Sequence, residues 1–232
     1  MSYSDFQFGY TNWLEVYSSE DLLEAYPHGY LPFSGDISDP RHLFYMARSL
    51  RVNLSQFTVD KKRRYDHRDW QKFGLQREHL TKEQMVEQFG AESLLELAAI
   101  WMAPRFGKRA LPLDRLAYIL SKPFVQDFLV WKRGTELEAF ALIVQGIWGA
   151  HYYYVFYRNG SGMDTAPGHG YLIDFLNWAW ENGHDYAYLG TYYGKKSQYK
   201  SRGISGVEFW DGNEWNPDKR EMARLLEEDT GR

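Results

Sequence analysis

The chain has no cysteine in its 232 residues. That absence excludes disulfides, thiolate metal sites, iron–sulfur clusters and a cysteine nucleophile. No run approaches the roughly 20 apolar residues a membrane helix needs. The opening, Met1-Ser2-Tyr3-Ser4-Asp5, has no basic stretch leading into apolar residues. Neither a membrane span nor a signal peptide is expected, and the expected location is cytoplasmic. There is no internal repeat and no low-complexity segment. Hydrophobic residues at 44% and charged residues at 25% sit near globular averages, which excludes disordered, collagenous and coiled-coil chains. The net charge of −4 argues against general coating of nucleic acid but leaves room for a local basic patch.

Aromatic residues, in contrast, are abundant: 18 Tyr, 14 Phe and 9 Trp, or 18% of the chain. Such density implies a thick core together with stacking surfaces. The length suits one large domain or two small ones packed closely. Ser19 to Tyr26 reads as a short helix with Ser19 as N-cap. Ser49 to Leu54 alternates as a strand does, whereas Arg41 to Arg48 is ambiguous. The basic run Asp60-Lys61-Lys62-Arg63-Arg64-Tyr65 follows. Thr81 to Phe106 has helical spacing, broken at Gly90, and Leu113 to Leu120 forms a further short helix. Phe124 to Lys132 and Leu137 to Gln145 read as a hairpin, with His151 to Tyr157 as a third strand. Gly168 to Asn182 is an amphipathic helix closed by Gly183. Tyr186 to Thr191 is a strand, Ile204 to Trp215 a hairpin around Asp211-Gly212-Asn213, and Pro217 opens a last helix.

No Ser-His-Asp or Cys-His constellation is present, and His28, His42, His67, His79, His151, His169 and His184 show no ligand spacing, so no metal is expected. Two basic clusters stand out. Lys61, Lys62, Arg63 and Arg64 suit phosphates or an acidic acceptor, because guanidinium binds either in a bidentate manner; a solvated charged turn is the alternative. Lys195, Lys196, Lys200 and Arg202 interleave with Tyr192, Tyr193 and Tyr199, a pattern suited to single-stranded ends on which bases stack. In Tyr152-Tyr153-Tyr154, strand alternation puts Tyr152 and Tyr154 on one face.

The order strand, strand, strand, helix, strand, helix in the second half resembles the GNAT acyltransferase fold. There the third strand and the strand after the helix splay apart to admit the acyl donor. Asp185-Tyr186-Ala187-Tyr188-Leu189-Gly190-Thr191-Tyr192-Tyr193, leading to Lys196 and Tyr199-Lys200, resembles the Tyr-x-Tyr-Leu-Gly-Tyr-Tyr-Ile … Lys-Met-x-Tyr-Lys segment of the arginyl- and leucyl-tRNA–protein transferases. Ser49-Leu50-Arg51-Val52, Phe57 and Lys61-Lys62-Arg63-Arg64 are similar to their Arg-Val … Phe … Ser-x-x-Arg-Arg stretch. The Cys-rich N-terminal segment of those enzymes has no counterpart here, and Thr191 stands where they often carry an aromatic. The Gln/Arg-x-x-Gly-x-Gly/Ala pattern of CoA-dependent relatives is missing, although Asn159-Gly160-Ser161-Gly162 and Pro167-Gly168-His169-Gly170 stand near its place.

The resemblance implies an α/β (α+β) chain. Residues 121–232 form a GNAT-like domain with a mixed central sheet flanked by helices, and residues 1–120 a smaller N-terminal part carrying the basic run. It implies transfer of an amino acid from aminoacyl-tRNA to an amine, such as a protein or peptide N-terminus, with no cofactor. Tyr199, Tyr192 and Tyr193 are the implied catalytic residues, with the ester on Tyr199 and a terminal phosphate on Lys200. Lys61, Lys62, Arg63, Arg64, Lys195, Lys196, Lys200 and Arg202 are the implied tRNA-binding set. A CoA-dependent N-acyltransferase and a non-catalytic relative that binds tRNA or peptide are the alternatives.

Overall fold

The computed structural model describes residues 12–106, 113–158, 167–193 and 197–230. A three-stranded antiparallel sheet near the N-terminus has the order β1-β3-β2, built from Trp13–Glu15 (β1), Tyr30–Pro32 (β2) and Leu43–Met46 (β3). The main sheet has eight strands. They are Ser49–Asn53 (β4), Gln76–Thr81 (β5), Asp127–Arg133 (β6), Glu136–Gly146 (β7), Gly149–Tyr157 (β8), Tyr186–Thr191 (β9), Val207–Trp210 (β10) and Trp215–Asn216 (β11). Their order is β11-β10-β4-β9-β8-β7-β6-β5. Every neighbouring pair is antiparallel except β8 and β9, which run parallel. The sheet therefore takes strands from both sides of residue 120.

Alternation along β7 shows why helices cover both faces. Ala139, Ala141 and Ile143 enter one apolar cluster and Phe140, Leu142 and Val144 the other. A strand buried on both faces needs two covering layers. One cover is Pro167–Glu181 (α6), whose Leu172, Phe175, Leu176 and Ala179 face the sheet, with Met222 and Leu226 of Lys219–Thr230 (α7) beside it. The other includes Ser19–Ala25 (α1), Ala91–Phe106 (α4) and Leu113–Leu120 (α5), through Leu22, Leu94, Leu97, Leu116 and Ile119. Lys61–Gln71 (α2) lies against α6, and Lys82–Phe89 (α3) follows β5.

Local signals account for most boundaries. Thr81 and Gln84 form a reciprocal capping box at the start of α3, and Gly90 ends it at φ +75°. The first helix is capped by Ser18 rather than Ser19: Ser18 and Asp21 close a capping box, and Ser19 is already helical. β6 begins at Asp127, three residues later than expected. The basic run is no turn. Asp60 accepts from the Arg63 backbone N–H at 2.8 Å and caps a helix of eleven residues.

Candidate active site

The parallel pair β8 and β9 matches at only two positions, Ala150 with Ala187 and His151 with Tyr188. Beyond these, β8 continues to Tyr157 and β9 to Thr191 without pairing to each other. Each strand carries an extra residue at that level. The register of β8 against β7 moves from Ile143–Tyr152 to Leu142–Tyr154, leaving Tyr153 over. The register of β9 against β4 moves from Arg51–Tyr188 to Leu50–Gly190, leaving Leu189 over. A bulge bends its strand, adds twist and frees backbone polar groups from the ladder. Two bulges at one level therefore open a cleft between the strands.

The β8 bulge corrects the expected alternation. Tyr152 packs on the α6 side, stacked on Phe175 at a centroid distance of 4.8 Å. Tyr154 lies on the opposite face, its hydroxyl 3.0 Å from Ser34 Oγ. The inserted residue inverts the facing of the strand beyond it.

Two nitrogen-bearing groups meet where the strands part. Gly190 sits at φ +78°; a Cβ there would lie 3.4 Å from Lys200 Nζ and 3.7 Å from His151 Nε2. Lys200 belongs to a 3-10 turn, Gln198–Lys200, that follows β9, and its Nζ donates to the Thr191 carbonyl at 3.0 Å. Burial pulls its amine from the usual lysine range to about 8. His151 is 1% exposed, and its Nδ1 lies 2.9 Å from the buried Tyr26 hydroxyl. Burial, reinforced by the Lys200 charge, holds its pKa at about 3, so the imidazole is neutral. Its Nε2 and the Tyr152 hydroxyl are buried with no hydrogen-bond partner among the described residues. Burial raises the Tyr152 phenol well above its ordinary value. Polar groups of this kind are normally satisfied, and the His151 nitrogen stands beside the cleft.

The expected catalytic tyrosines separate in role. Tyr199 packs edge-on against the His169 ring at 5.4 Å, and burial raises its phenol to about 12. Burial, and then the Arg63 charge, keeps His169 near 4. Tyr192 is a buried part of the core; its hydroxyl is 2.9 Å from Ser201 Oγ and its N–H donates to the Arg48 carbonyl at 2.7 Å. Tyr193 is half-buried, and its carbonyl accepts from Ser197 Oγ at 2.7 Å. Lys200 stands at the cleft, its Nζ beside Gly190.

The basic run divides by helix face. Lys61, Lys62 and Arg64 are exposed, but Arg63 is buried. Its Nε donates to the Arg202 carbonyl at 3.0 Å and its Nη1 reaches Asp66 at 3.5 Å. Arg63 thus ties α2 to the segment after Lys200, while the Arg202 side chain is exposed. Lys195, Lys196 and the Asn159–Gly162 loop lie outside the described residues. Pro167, Gly168, His169 and Gly170 open α6. Among the described residues no three His, Asp or Glu side chains gather as a metal site requires. The sequence drew attention to Tyr199 and Lys200 but missed His151, Tyr26 and Gly190. The available signal was a lone histidine between Ala150 and a run of tyrosines in a buried strand.

No family model matches the chain, and no curated protein matches it. Among solved structures, FemX superposes with a TM-score of 0.51 at 12% identity, covering 94% of this chain and 74% of FemX. The chain has the fold of the GNAT-like acyltransferases. The C-terminal domain of a protein described as a lysylphosphatidylglycerol synthetase from Agrobacterium fabrum gives a TM-score of 0.47 at 17% identity. L-PGS from Bacillus licheniformis gives 0.46 at 15%. Each covers 77% of this chain, which spans 54% of either, about half their length. Among the described residues no helix is long and apolar enough to cross a membrane.

Proposed function

We propose that this protein is an aminoacyl-tRNA-dependent acyltransferase of the cytoplasm that moves an amino acid onto an amine, in the manner of the arginyl/leucyl-tRNA–protein transferases. The observation that carries the reading is the convergence of Lys200 Nζ and His151 Nε2 beside Gly190, at the level where β8 and β9 part. The segment that resembles those transferases, Tyr186 to Tyr193 with Tyr199-Lys200, supplies β9 and the turn bearing Lys200. The acceptor, a protein or peptide N-terminus, rests on that resemblance alone.

Aminoacyl-tRNA is an activated ester, and an α-amine with a pKa of about 7.7–8.0 is partly neutral at cellular pH. Positioning therefore supplies much of the rate. The neutral amine adds to the ester carbonyl, and the developing oxyanion takes donors from the bulged backbone and a tyrosine hydroxyl, Tyr152 or Tyr199. Lys200 in its charged form gives a proton to the departing ribose oxygen as the carbon–oxygen bond breaks. The proton shed by the attacking nitrogen then restores the ammonium. The reaction closes with one amide formed, one ester broken and no net change at the lysine. His151, held neutral and braced by Tyr26, keeps the lysine's environment polar without adding a second charge.

Incubation with radiolabelled aminoacyl-tRNAs and candidate amine acceptors, beside a titration with acetyl-CoA, tests the donor. The expected outcome is consumption of at least one aminoacyl-tRNA with label in the acceptor. Micromolar CoA binding with no aminoacyl-tRNA consumed would overturn the reading in favour of a CoA-dependent N-acyltransferase.

A further inference from the structure

A groove of about 790 Å³ runs along the outer seam of α2 and α6, well apart from the splayed strands in chemistry though joined to them through α2. Lys61, Arg64 and Arg68 form one wall, and Ile173, Asn177 and Trp180 the other, with Phe57 to Val59 at one end. Positions 61, 64 and 68 share a helix face. All three cations are exposed, and among the described residues none has an acidic partner. The helix's own acids are engaged elsewhere: Asp60 caps its N-terminus, Asp66 faces Arg63 and Asp69 pairs with Lys72. His67 also lines the groove, and burial lowers its pKa. Opposite the cations, Trp180 is 62% exposed, an unusual position for so large an aromatic on a helix that is otherwise mostly buried.

We propose that this groove binds the single-stranded 3′ end of tRNA, with Lys61, Arg64 and Arg68 on its phosphates and a base stacked on Trp180. The inference rests on the aminoacyl-tRNA reading and assigns that substrate a path. Three unpaired cations in file, on a chain whose net charge is −4, form a local attraction for a polyanion against an acidic background. An exposed indole facing them supplies the stacking platform that single strands use, since every base has a π-face. A lone tryptophan in a grooved wall fits a splayed base better than a flat bilayer surface. Helix α2, which carries the three cations, is also tied to the segment that bears Lys200. Arg63, on the same helix, is hydrogen-bonded to the carbonyl of Arg202, two residues beyond Lys200.

The test compares binding of a full-length tRNA transcript, the same transcript without its single-stranded 3′ end, and phosphatidylglycerol vesicles. Wild-type protein is expected to prefer the full-length transcript. The variant K61A/R64A/R68A should bind it more weakly, and the slope of log affinity against log salt should flatten by about 0.7 per lost phosphate, about 2 in all. Trp180→Ala should lose about ten-fold in affinity for the full-length transcript alone, and Trp180→Phe should recover part of it. All four side chains are exposed, so circular dichroism should be unchanged in every variant. Wild-type affinity and slope in the triple variant would overturn the proposal while leaving the aminoacyl-tRNA reading in place. Equal binding of the two transcripts, or preference for the vesicles, would overturn it as well. Absence of any tRNA binding by the wild-type protein would overturn both.

Discussion

Lys200 is a buried amine that pairs with no carboxylate among the described residues, and its chemistry stems from that. It donates to the Thr191 carbonyl, and burial brings its pKa to about 8. At neutral pH it is still mostly charged, which is the form a departing alkoxide needs. That form is lost as pH rises through about 8. With both substrates saturating, kcat should therefore fall across that range. Lys200→Arg, which cannot deprotonate, should abolish the alkaline fall, and Lys200→Met should lower kcat about 100-fold or more with little change in KM. A variant with the wild-type pH profile would remove Lys200 from the chemistry. The same pKa has a consequence for folding. An unfolded lysine titrates near 10.4, so between about 8 and 10.4 the unfolded chain holds more protons than the folded one. Stability should rise with pH over that window, and the rise should vanish in Lys200→Met when unfolding is followed in urea.

At the scale of the element, α2 shows that a run of charges need not be a solvated one. Its buried stripe is Arg63, His67 and Trp70, of which only the tryptophan is of a type that signals burial. Arg63→Ala should cost about 1–3 kcal/mol, because the Arg202 carbonyl and Asp66 lose a donor in a half-buried setting. Arg64→Ala, one position away and exposed, should leave the unfolding midpoint near wild type. Equal midpoints for the two variants would contradict the division of the run by face. The same polar camouflage hid β5, Gln76–Thr81, an edge strand with one apolar residue, Leu80, paired along its length to β6. By contrast β6, β7, β8, β9 and α6 were legible, because their apolar runs and periods are strong. The bulges at Tyr153 and Leu189 were not, since alternation counts residues and cannot show where a ladder skips one. That Lys200 stands over the cleft was expected from the sequence; its neighbours there, His151 Nε2 and the Thr191 carbonyl, depend on where a 3-10 turn lands after β9, a tertiary fact absent from local spacing.

In the whole molecule, β4 lies between β9 and β10, so a strand from the first quarter of the chain completes the half of the sheet that carries the cleft. That arrangement must be held by contacts distant in sequence. One is buried: Arg48, just before β4, gives Nε and Nη2 to Asp229 in α7 at 2.8 and 3.1 Å, and Nη1 to the Trp210 carbonyl at 3.0 Å. Both side chains are nearly closed to water, 2% and 9% exposed. Salt screens such a pair little, but its desolvation cost makes its net worth small while both partners remain. Removing one partner is a different matter, because the remaining charge then loses its paired counter-ion in a buried setting. Asp229→Ala should destabilise the protein by about 3–5 kcal/mol, while the double variant Arg48→Met/Asp229→Leu should recover much of the loss. Because Arg48 also carries the carbonyl that receives the Tyr192 N–H, the loss should extend to the exit of β9. Hydrogen exchange in Asp229→Ala should therefore quicken at Tyr192 as well as along α7. Protection kept at Tyr192 with α7 loosened would show that the helix is an independent cover and that the cleft is held by the sheet alone.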